Sequence, residues 1–207
     1  MSKTVDIDFF KSTAKSLNPR KAELDLLSLE DDPMNRTIVI KSKNTILPQN
    51  FSWQDWWEQK IKINFLFFKA IEEDDLRKAK NLLDKRKYKE QCADINACQP
   101  EELGGNSALH VASLLGRVDI VQLIISDPGA DINVRNETFK APVHLAAENG
   151  HPQVLKLLAG CLNVVFDLED MNRDTPLHRA ASEGHIDCVV FILTQKTCNP
   201  DKLNRYN

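Results

Sequence analysis

The sequence has little glycine and no long apolar run, and each shortage excludes a class of protein. Glycine supplies 7 of the 207 residues, roughly 3% against a usual share of about 7%, which argues against glycine-rich linkers and phosphate-binding loops. No apolar segment approaches the ~20 residues that a membrane-spanning helix needs, and the N-terminus lacks the apolar core of a signal peptide. We therefore expect a soluble protein with no membrane contact.

An excess of positive charge and a paired set of cysteines are also missing. Lys plus Arg number 27 and Asp plus Glu number 30, which gives a net charge of −3. Nucleic-acid affinity depends largely on clustered Lys and Arg that neutralise phosphates, so we expect no nucleic-acid partner. Five scattered cysteines are typical of a reducing compartment rather than of a disulfide framework. We expect a cytoplasmic protein, located on the cytoskeleton or in another large intracellular assembly.

One pattern recurs three times at an interval of 34 residues. Its fixed points are His110, His144 and His178, each followed six residues later by a glycine. After each glycine comes a short segment with one apolar face, at 118–124, 152–158 and 186–192, and each segment predicts a helix. A fixed period of this length is the signature of a repeat architecture, in which neighbouring repeats bury each other's apolar faces.

Each element of the pattern has a physical role at a helix end. Thr175 can cap the helix that begins at Pro176, because proline fits the first helical turn, where its missing N–H is no loss. The histidine can bond back to the backbone of that turn, and the glycine ends the helix where a left-handed residue is needed. Together with the turn Gly129-Ala130-Asp131-Ile132-Asn133, these features resemble the ankyrin repeat family. The resemblance implies an all-α solenoid of helix-turn-helix repeats with β-turn fingers.

The period divides the chain into an arm and four repeats. We predict an irregular N-terminal arm (1–51), a Trp-rich capping helix (52–63), a degenerate first repeat (64–97), repeats two to four (98–134, 135–168 and 169–202) and the start of an incomplete repeat (203–207). The first repeat lacks the Thr-Pro-x-His box, and its extra length must lie near residues 86–91 and 98–103. Such departures are typical of a terminal repeat.

No catalytic, cofactor or metal site is predicted. All five histidines occupy positions that the repeat explains, and the spacings of metal ligands such as C-x-x-C are absent. Neither a phosphate loop nor a dinucleotide-binding motif is present. We therefore expect a protein that is not an enzyme and that needs neither cofactor nor metal.

The resemblance implies protein–protein binding through the finger tips and the exposed side of each first helix, which line a concave surface. By register these positions are Leu103, Asn106, Leu114 and Leu115 in repeat two, Glu137, Thr138, Lys140 and Glu148 in repeat three, and Met171, Asn172, Asp174 and Glu183 in repeat four. For the two neighbouring leucines, a packing role and a binding role both remain open.

The three tryptophans form a second candidate surface. Trp53, Trp56 and Trp57 have the spacing i, i+3, i+4 and share one helix face. That face either caps the first repeat, as any solenoid needs, or anchors a partner, since tryptophan is enriched among interface hot spots. Both interpretations stay open.

The predicted function is that of a structural adaptor or accessory subunit that binds other proteins through its arm and its concave face. The alternative is a regulatory binder, such as an inhibitor or a substrate-recognition module of a signalling or transcription protein.

At the C-terminal end of the repeats, we expect the last helix to be uncovered at Val189, Phe191, Ile192 and Leu193. Either the chain is a piece of a longer array, or a partner closes this end.

Overall fold

The computed structural model describes residues 53–84, 92–99 and 104–206, with the side chains of the first helix described from Lys60 onward. Within these ranges the regular structure is helical, and the only β-pairing is an isolated antiparallel bridge between Cys98 and Ser107. The fold is all-α, as the sequence predicts. The arm at 1–51 and the inserted residues 86–91 lie outside the described ranges.

Eight helices follow one another in the described part of the chain. They are α1 (Trp53–Glu72), α2 (Leu76–Leu83), α3 (Ala108–Leu114), α4 (Val118–Ile125), α5 (Pro142–Glu148), α6 (Pro152–Ala159), α7 (Pro176–Ser182) and α8 (Ile186–Leu193).

Helix α1 differs from the prediction, because one continuous helix of 20 residues replaces a capping helix and a separate first repeat. The predicted boundary between residues 63 and 64 falls in its middle. No glycine or proline occurs between Trp53 and Glu72, so nothing in the sequence ends the helix there. The second half of α1 provides buried side chains for the first repeat, among them Phe67 and Ile71.

The helices form two layers. Helices α1, α3, α5 and α7 pack side by side as the inner layer, and α2, α4, α6 and α8 pack side by side as the outer layer. Each outer helix also contacts the inner helix before it in the sequence. The core lies between the layers and between successive repeats, so that most apolar side chains are buried by a neighbouring repeat as well as by their own.

The predicted signals for the helix ends are confirmed. The hydroxyl oxygens of Ser107 and Thr175 accept hydrogen bonds from the backbone N–H groups of His110 and His178, at 3.3 and 3.5 Å. Pro142 and Pro176 stand at the first positions of α5 and α7. Gly116 follows α3 with a φ of +67°, in the left-handed region that glycine tolerates best.

The last helix is uncovered at different residues from those predicted. Ile192 is fully buried, whereas Leu193 is exposed as predicted. Val189 and Phe191 are half-buried, and the Phe191 ring lies 6.3 Å from that of Phe166. The other exposed apolar residues of α8 are Ile186 and Val190. The reason is the helical period: residues 186, 190 and 193 share the face opposite to the core-facing Ile192.

Candidate protein-binding surface

Between the repeats, the chain forms tight turns that we call fingers: the first contains Gly104 and Gly105, the second spans residues 136–140 and the third spans residues 170–174. The second finger is closed by a hydrogen bond from the N–H of Asn136 to the carbonyl of Lys140 at 3.0 Å, and the third by the N–H of Asp170 and the carbonyl of Asp174 at 2.9 Å. In the second finger, the side chain of the first residue also holds the turn: Asn136 Oδ1 accepts hydrogen bonds from the backbone N–H groups of Thr138 at 3.1 Å and Lys140 at 3.0 Å. Each finger therefore fixes its own shape.

Neighbouring fingers are joined by their backbones. The N–H of Glu137 donates to the carbonyl of Gly104 at 3.3 Å, and the N–H of Met171 donates to that of Thr138 at 3.1 Å. The same bond, 34 residues further on, joins the N–H of Arg205 to the carbonyl of Asn172 at 3.1 Å. The finger tips are thus held in one continuous row.

The histidines of the repeat box fasten each repeat to the next. Nδ1 of His110 accepts the N–H of Ser107 at 3.1 Å, so the ring proton lies on Nε2. Nε2 then donates to the carbonyl of Lys140 in the next repeat at 2.9 Å. His144 repeats this arrangement, accepting from the N–H of Ala141 at 3.1 Å and lying 3.2 Å from the carbonyl of Asp174.

Burial keeps these two histidines neutral. It lowers the pKa of His110 to about 4, against partial compensation from the hydrogen bond to Lys140. It also lowers the pKa of His144 to about 4, although the Asp170 carboxylate and the carbonyls of Asp174 and Leu168 oppose the shift. A neutral imidazole both accepts at Nδ1 and donates at Nε2, which is the pattern that the two bonds require.

A second set of histidines points the other way along the array. His151 Nε2 lies 3.0 Å from the carbonyl of Leu114, and His185 Nε2 lies 3.0 Å from that of Glu148. All five histidines therefore occupy structural positions at helix ends, and four of them bond to a neighbouring repeat. Among the described residues, no cluster of His, Cys, Asp and Glu could hold a metal ion.

The predicted finger residues differ in exposure. Glu137, Thr138, Met171 and Glu183 are exposed, and Asn172 is half-buried. Asn106 is half-buried because its side-chain oxygen accepts from Asn136 Nδ2 at 2.8 Å. Leu103 and the side chains of Trp53, Trp56 and Trp57 lie outside the described part of the structure.

The two predicted leucines of α3 are half-buried. Leu115 packs against the core, and the carbonyl of Leu114 accepts the bond from His151. Leu115 therefore has a packing role, and part of each of the two side chains remains exposed to solvent.

Three other predicted residues are held in an ion-pair network between repeats three and four. Lys140 Nζ lies 2.7 Å from a carboxylate oxygen of Glu148, and Arg179 lies 3.7 Å from the other. Arg179 also pairs with Asp170 and, at 3.2 Å, with Asp174. The charges of Lys140, Glu148 and Asp174 are thus paired within the chain. Asp174 is buried, contrary to its predicted place on the exposed surface, whereas Lys140 and Glu148 are half-buried.

Sequence reasoning missed Arg179 and Asp170, the centre of this network. The carboxylate of Asp170 is almost fully buried. Burial raises its pKa, but the hydrogen bonds from Arg179 and from the N–H groups of Asp174 and Asn172 outweigh that effect and lower the pKa overall. The sequence does hold a signal: Arg179 stands where the preceding repeats have Val111 and Leu145, so a charge interrupts an apolar position.

Comparison with known families decides what this architecture is. A family model described as ankyrin repeats in three copies matches residues 135–204, and one for ankyrin repeats in many copies matches residues 109–159. Residues 109–204 of this chain are ankyrin repeats. They form a protein-interaction module, as the sequence predicts.

Curated relatives share the ankyrin repeats over part of their length. The target of rapamycin complex 2 subunit AVO2 of Saccharomyces cerevisiae is 34% identical over 44% of this chain and 21% of its own length. The SMC5-SMC6 complex localization factor protein 1 of Bos taurus is 38% identical over 44% of this chain and 9% of its own. The probable E3 ubiquitin-protein ligase XBOS32 of Oryza sativa is 31% identical over 60% of this chain and 23% of its own. The chain thus matches less than a quarter of each relative.

Burial, with the nearby carboxylates of Asp94 and Glu137, raises the pKa of the Cys98 thiol to about 11, which keeps it protonated. None of the described helices is both long and apolar enough to cross a membrane.

Proposed function

We propose that this ankyrin repeat protein is a non-catalytic structural adaptor or accessory subunit of a larger intracellular assembly, located in the cytoplasm. One observation carries the proposal: hydrogen bonds and ion pairs join successive repeats into one scaffold, while the finger tips and inner-helix ends keep exposed side chains. A rigid surface of this kind binds a partner without the entropy cost of ordering it first.

The relatives support the assembly interpretation. One is named as a subunit of target of rapamycin complex 2, and another as a localization factor of the SMC5-SMC6 complex. A role in joining or placing the parts of a complex fits a chain whose repeats present surface rather than a reactive pocket.

A regulatory binder is the second candidate. The observation that favours it is the match to a probable E3 ubiquitin-protein ligase, which covers 60% of this chain. Ankyrin repeats in such a protein would select a target while other parts of the protein act on it. A substrate-recognition or inhibitory role would use the same exposed surface.

The binding surface in this proposal combines the predicted residues of the fingers and inner helices with the arm at 1–51. The exposed members are Glu137, Thr138, Met171 and Glu183, and the Trp53, Trp56 and Trp57 face adds a second contact or a cap. Two linked contacts gain avidity that either alone lacks. The partners are other proteins, and neither nucleic acid nor membrane takes part.

The test is affinity purification of the tagged full chain from native extract, with crosslinking and quantitative mass spectrometry. Ser182→Trp places a bulky ring at the exposed end of α7, and Gln122→Trp places the same ring on the exposed face of the outer helix α4. We expect the first substitution to reduce recovery of the partner at least tenfold, and the second to leave recovery unchanged. Equal recovery from both variants would contradict the proposed surface.

Stoichiometry separates the two candidate functions. An accessory subunit is recovered with its assembly at a fixed ratio in every growth condition, whereas a regulator is recovered at a ratio that changes with the signalling state. A variable ratio would replace the adaptor proposal with the regulatory one.

A further inference from the structure

An aromatic residue occupies a strained position at the tip of the second finger. Gly105, Phe139 and Arg173 hold the same place in three successive fingers, and their φ angles are +61°, +60° and +62°. The turn demands a left-handed residue, which glycine supplies at no steric cost. A bulky side chain there is an outlier that lowers stability, and strain of this kind clusters at functional sites.

The Phe139 ring gains little burial in return. It is 52% exposed, and the Arg135 guanidinium lies 6.0 Å from the ring centroid in a cation–π contact. Met171 on the next finger is also 52% exposed and is joined through its N–H to Thr138, the neighbour of Phe139. Two large apolar side chains thus project from adjacent tips into solvent.

Positive charge surrounds these two side chains. The Arg173 side chain is 61% exposed, and Arg135 and Arg205 are exposed as well. Among the described residues of these tips, Glu137 carries the exposed carboxylate. Glu169, at the base of the third finger, is neutralised by Lys202 at 3.1 Å and contacts Arg173 at 3.5 Å.

We define the finger edge as Arg135, Glu137, Phe139, Met171, Arg173 and Arg205. We propose that the finger edge binds an acidic segment of a partner protein that carries apolar side chains between its carboxylates. This inference rests on the proposed function, since it gives the chemistry of a partner for the same protein-binding surface.

The match between surface and segment is physical. An apolar side chain of the segment would pack on Phe139 and Met171, while its carboxylates would meet the arginines. Aromatic residues and arginine dominate interface hot spots, and the guanidinium group pairs with carboxylates through two parallel hydrogen bonds. An acidic segment with apolar side chains is favoured over a nucleic acid because Phe139 and Met171 offer exposed apolar contacts, whereas nucleic-acid affinity depends largely on clustered Lys and Arg, of which the finger edge has three.

The test measures binding of fluorescein-labelled probes to the full chain by fluorescence anisotropy. The main probe is a twelve-residue peptide that repeats Glu-Glu-Leu. Its matched controls replace every glutamate by lysine, or every leucine by serine, and a twelve-nucleotide oligothymidine tests the nucleic-acid alternative. We expect the Glu-Glu-Leu peptide to bind at least tenfold more tightly than each control, and more weakly as salt rises. Equal or tighter binding of any control, or no binding of the main probe, would overturn the proposal.

Variants of the finger-edge residues test whether each side chain strengthens or weakens binding of the main probe. Phe139→Gly should weaken binding of the main probe at least tenfold and yet raise the melting temperature, because it relieves the left-handed strain. Arg173→Gln should weaken binding several-fold, and Glu137→Gln should strengthen it, since a repelling carboxylate is removed. Unchanged binding in Phe139→Gly, or weaker binding in Glu137→Gln, would count against the acidic segment.

A control outside the edge, and the partner assay above, keep the two proposals apart. Leu162 is a fully exposed leucine on a turn beyond the finger edge, so Leu162→Ser should leave binding of the probe unchanged. If the probe fails to bind while Ser182→Trp still abolishes partner recovery, then the protein-binding function stands and the acidic-segment inference fails. If Ser182→Trp has no effect as well, the proposed function fails with it.

Discussion

Repeat three (135–168) and repeat four (169–202) share one pattern but not one environment. His144 and Leu155 are fully buried, whereas His178 and Val189, their counterparts 34 residues later, are only half-buried. His144 Nε2 reaches the carbonyl of Asp174, but His178 Nε2 has no hydrogen-bond acceptor within the described residues. Among the described residues, repeat three therefore gains a hydrogen bond and burial from the repeat that follows it, and repeat four gains neither at the matched positions.

This difference in burial indicates that each repeat is stabilised chiefly by its contacts with neighbouring repeats. A short isolated helix is marginal in water, and each helix of repeats two to four has seven or eight residues. The side chains that become fully buried in repeat three do so against the helices of repeats two and four. Substitutions at matched positions should therefore cost more in repeat three than in repeat four.

The largest expected effect is the loss of stability on acidification. Native His110 and His144 have pKa values of about 4, whereas an unfolded histidine has a pKa near 6.5. The unfolded chain therefore binds more protons between pH 6.5 and 4, so stability is complete above pH 6.5 and falls as the pH drops to about 4. Linkage gives up to about 3 kcal/mol per histidine.

Urea unfolding at pH 7.5 and at pH 4.5 measures this loss. A free energy of unfolding that is constant over this range would contradict the burial of His110 and His144.

Removal of core volume should give the next largest effect. Leu155→Ala leaves a cavity in a fully buried site of repeat three and should cost about 3 kcal/mol. Val189→Ala, at the matched half-buried site, should cost about 1 kcal/mol. Equal losses in urea unfolding would mean that repeat four is packed as tightly as repeat three.

A pair of glycines gives a smaller and more local test. Gly150 and Gly184 have φ angles of +69° and +76°. A Cβ at Gly150 would lie 2.6 Å from the His185 ring, whereas one at Gly184 would meet nothing within 4 Å. Gly184→Ala should cost about 1 kcal/mol for the left-handed backbone, and Gly150→Ala about 1–2 kcal/mol more for the clash. Thermal melting with the same result for both variants would exclude a tight contact between His185 and Gly150.

The smallest expected effect on stability comes from deletion of the arm. Removal of residues 1–51 should leave the melting temperature within a few degrees, because the described repeats already bury a continuous core that includes α1. Partner recovery should nonetheless fall severely, since one of two linked contacts is lost. Unchanged recovery would make the arm dispensable for binding.

The sequence predicts the repeats well because their signals are local. His144 and Gly150 identify the start and the end of one helix. His144 bonds to the backbone at the first turn, and Gly150 takes the left-handed conformation after the last turn. The pairing of Arg179 with Asp170 and Glu148 could not be predicted in this way, because it depends on the distance between two repeats. The continuity of α1 and the exposed face of α8 also escaped the prediction, since both follow from how a helix packs rather than from which residues end it.

The exposed finger and inner-helix residues should serve binding and not stability. One variant, Met171→Asp combined with Ser182→Trp, tests both properties by urea unfolding and by quantitative partner recovery. Both residues are exposed, so we expect a free energy of unfolding within about 0.5 kcal/mol of that of the unmodified chain, together with loss of the partner. An intact partner complex, or a variant that unfolds, would contradict a binding role for these residues.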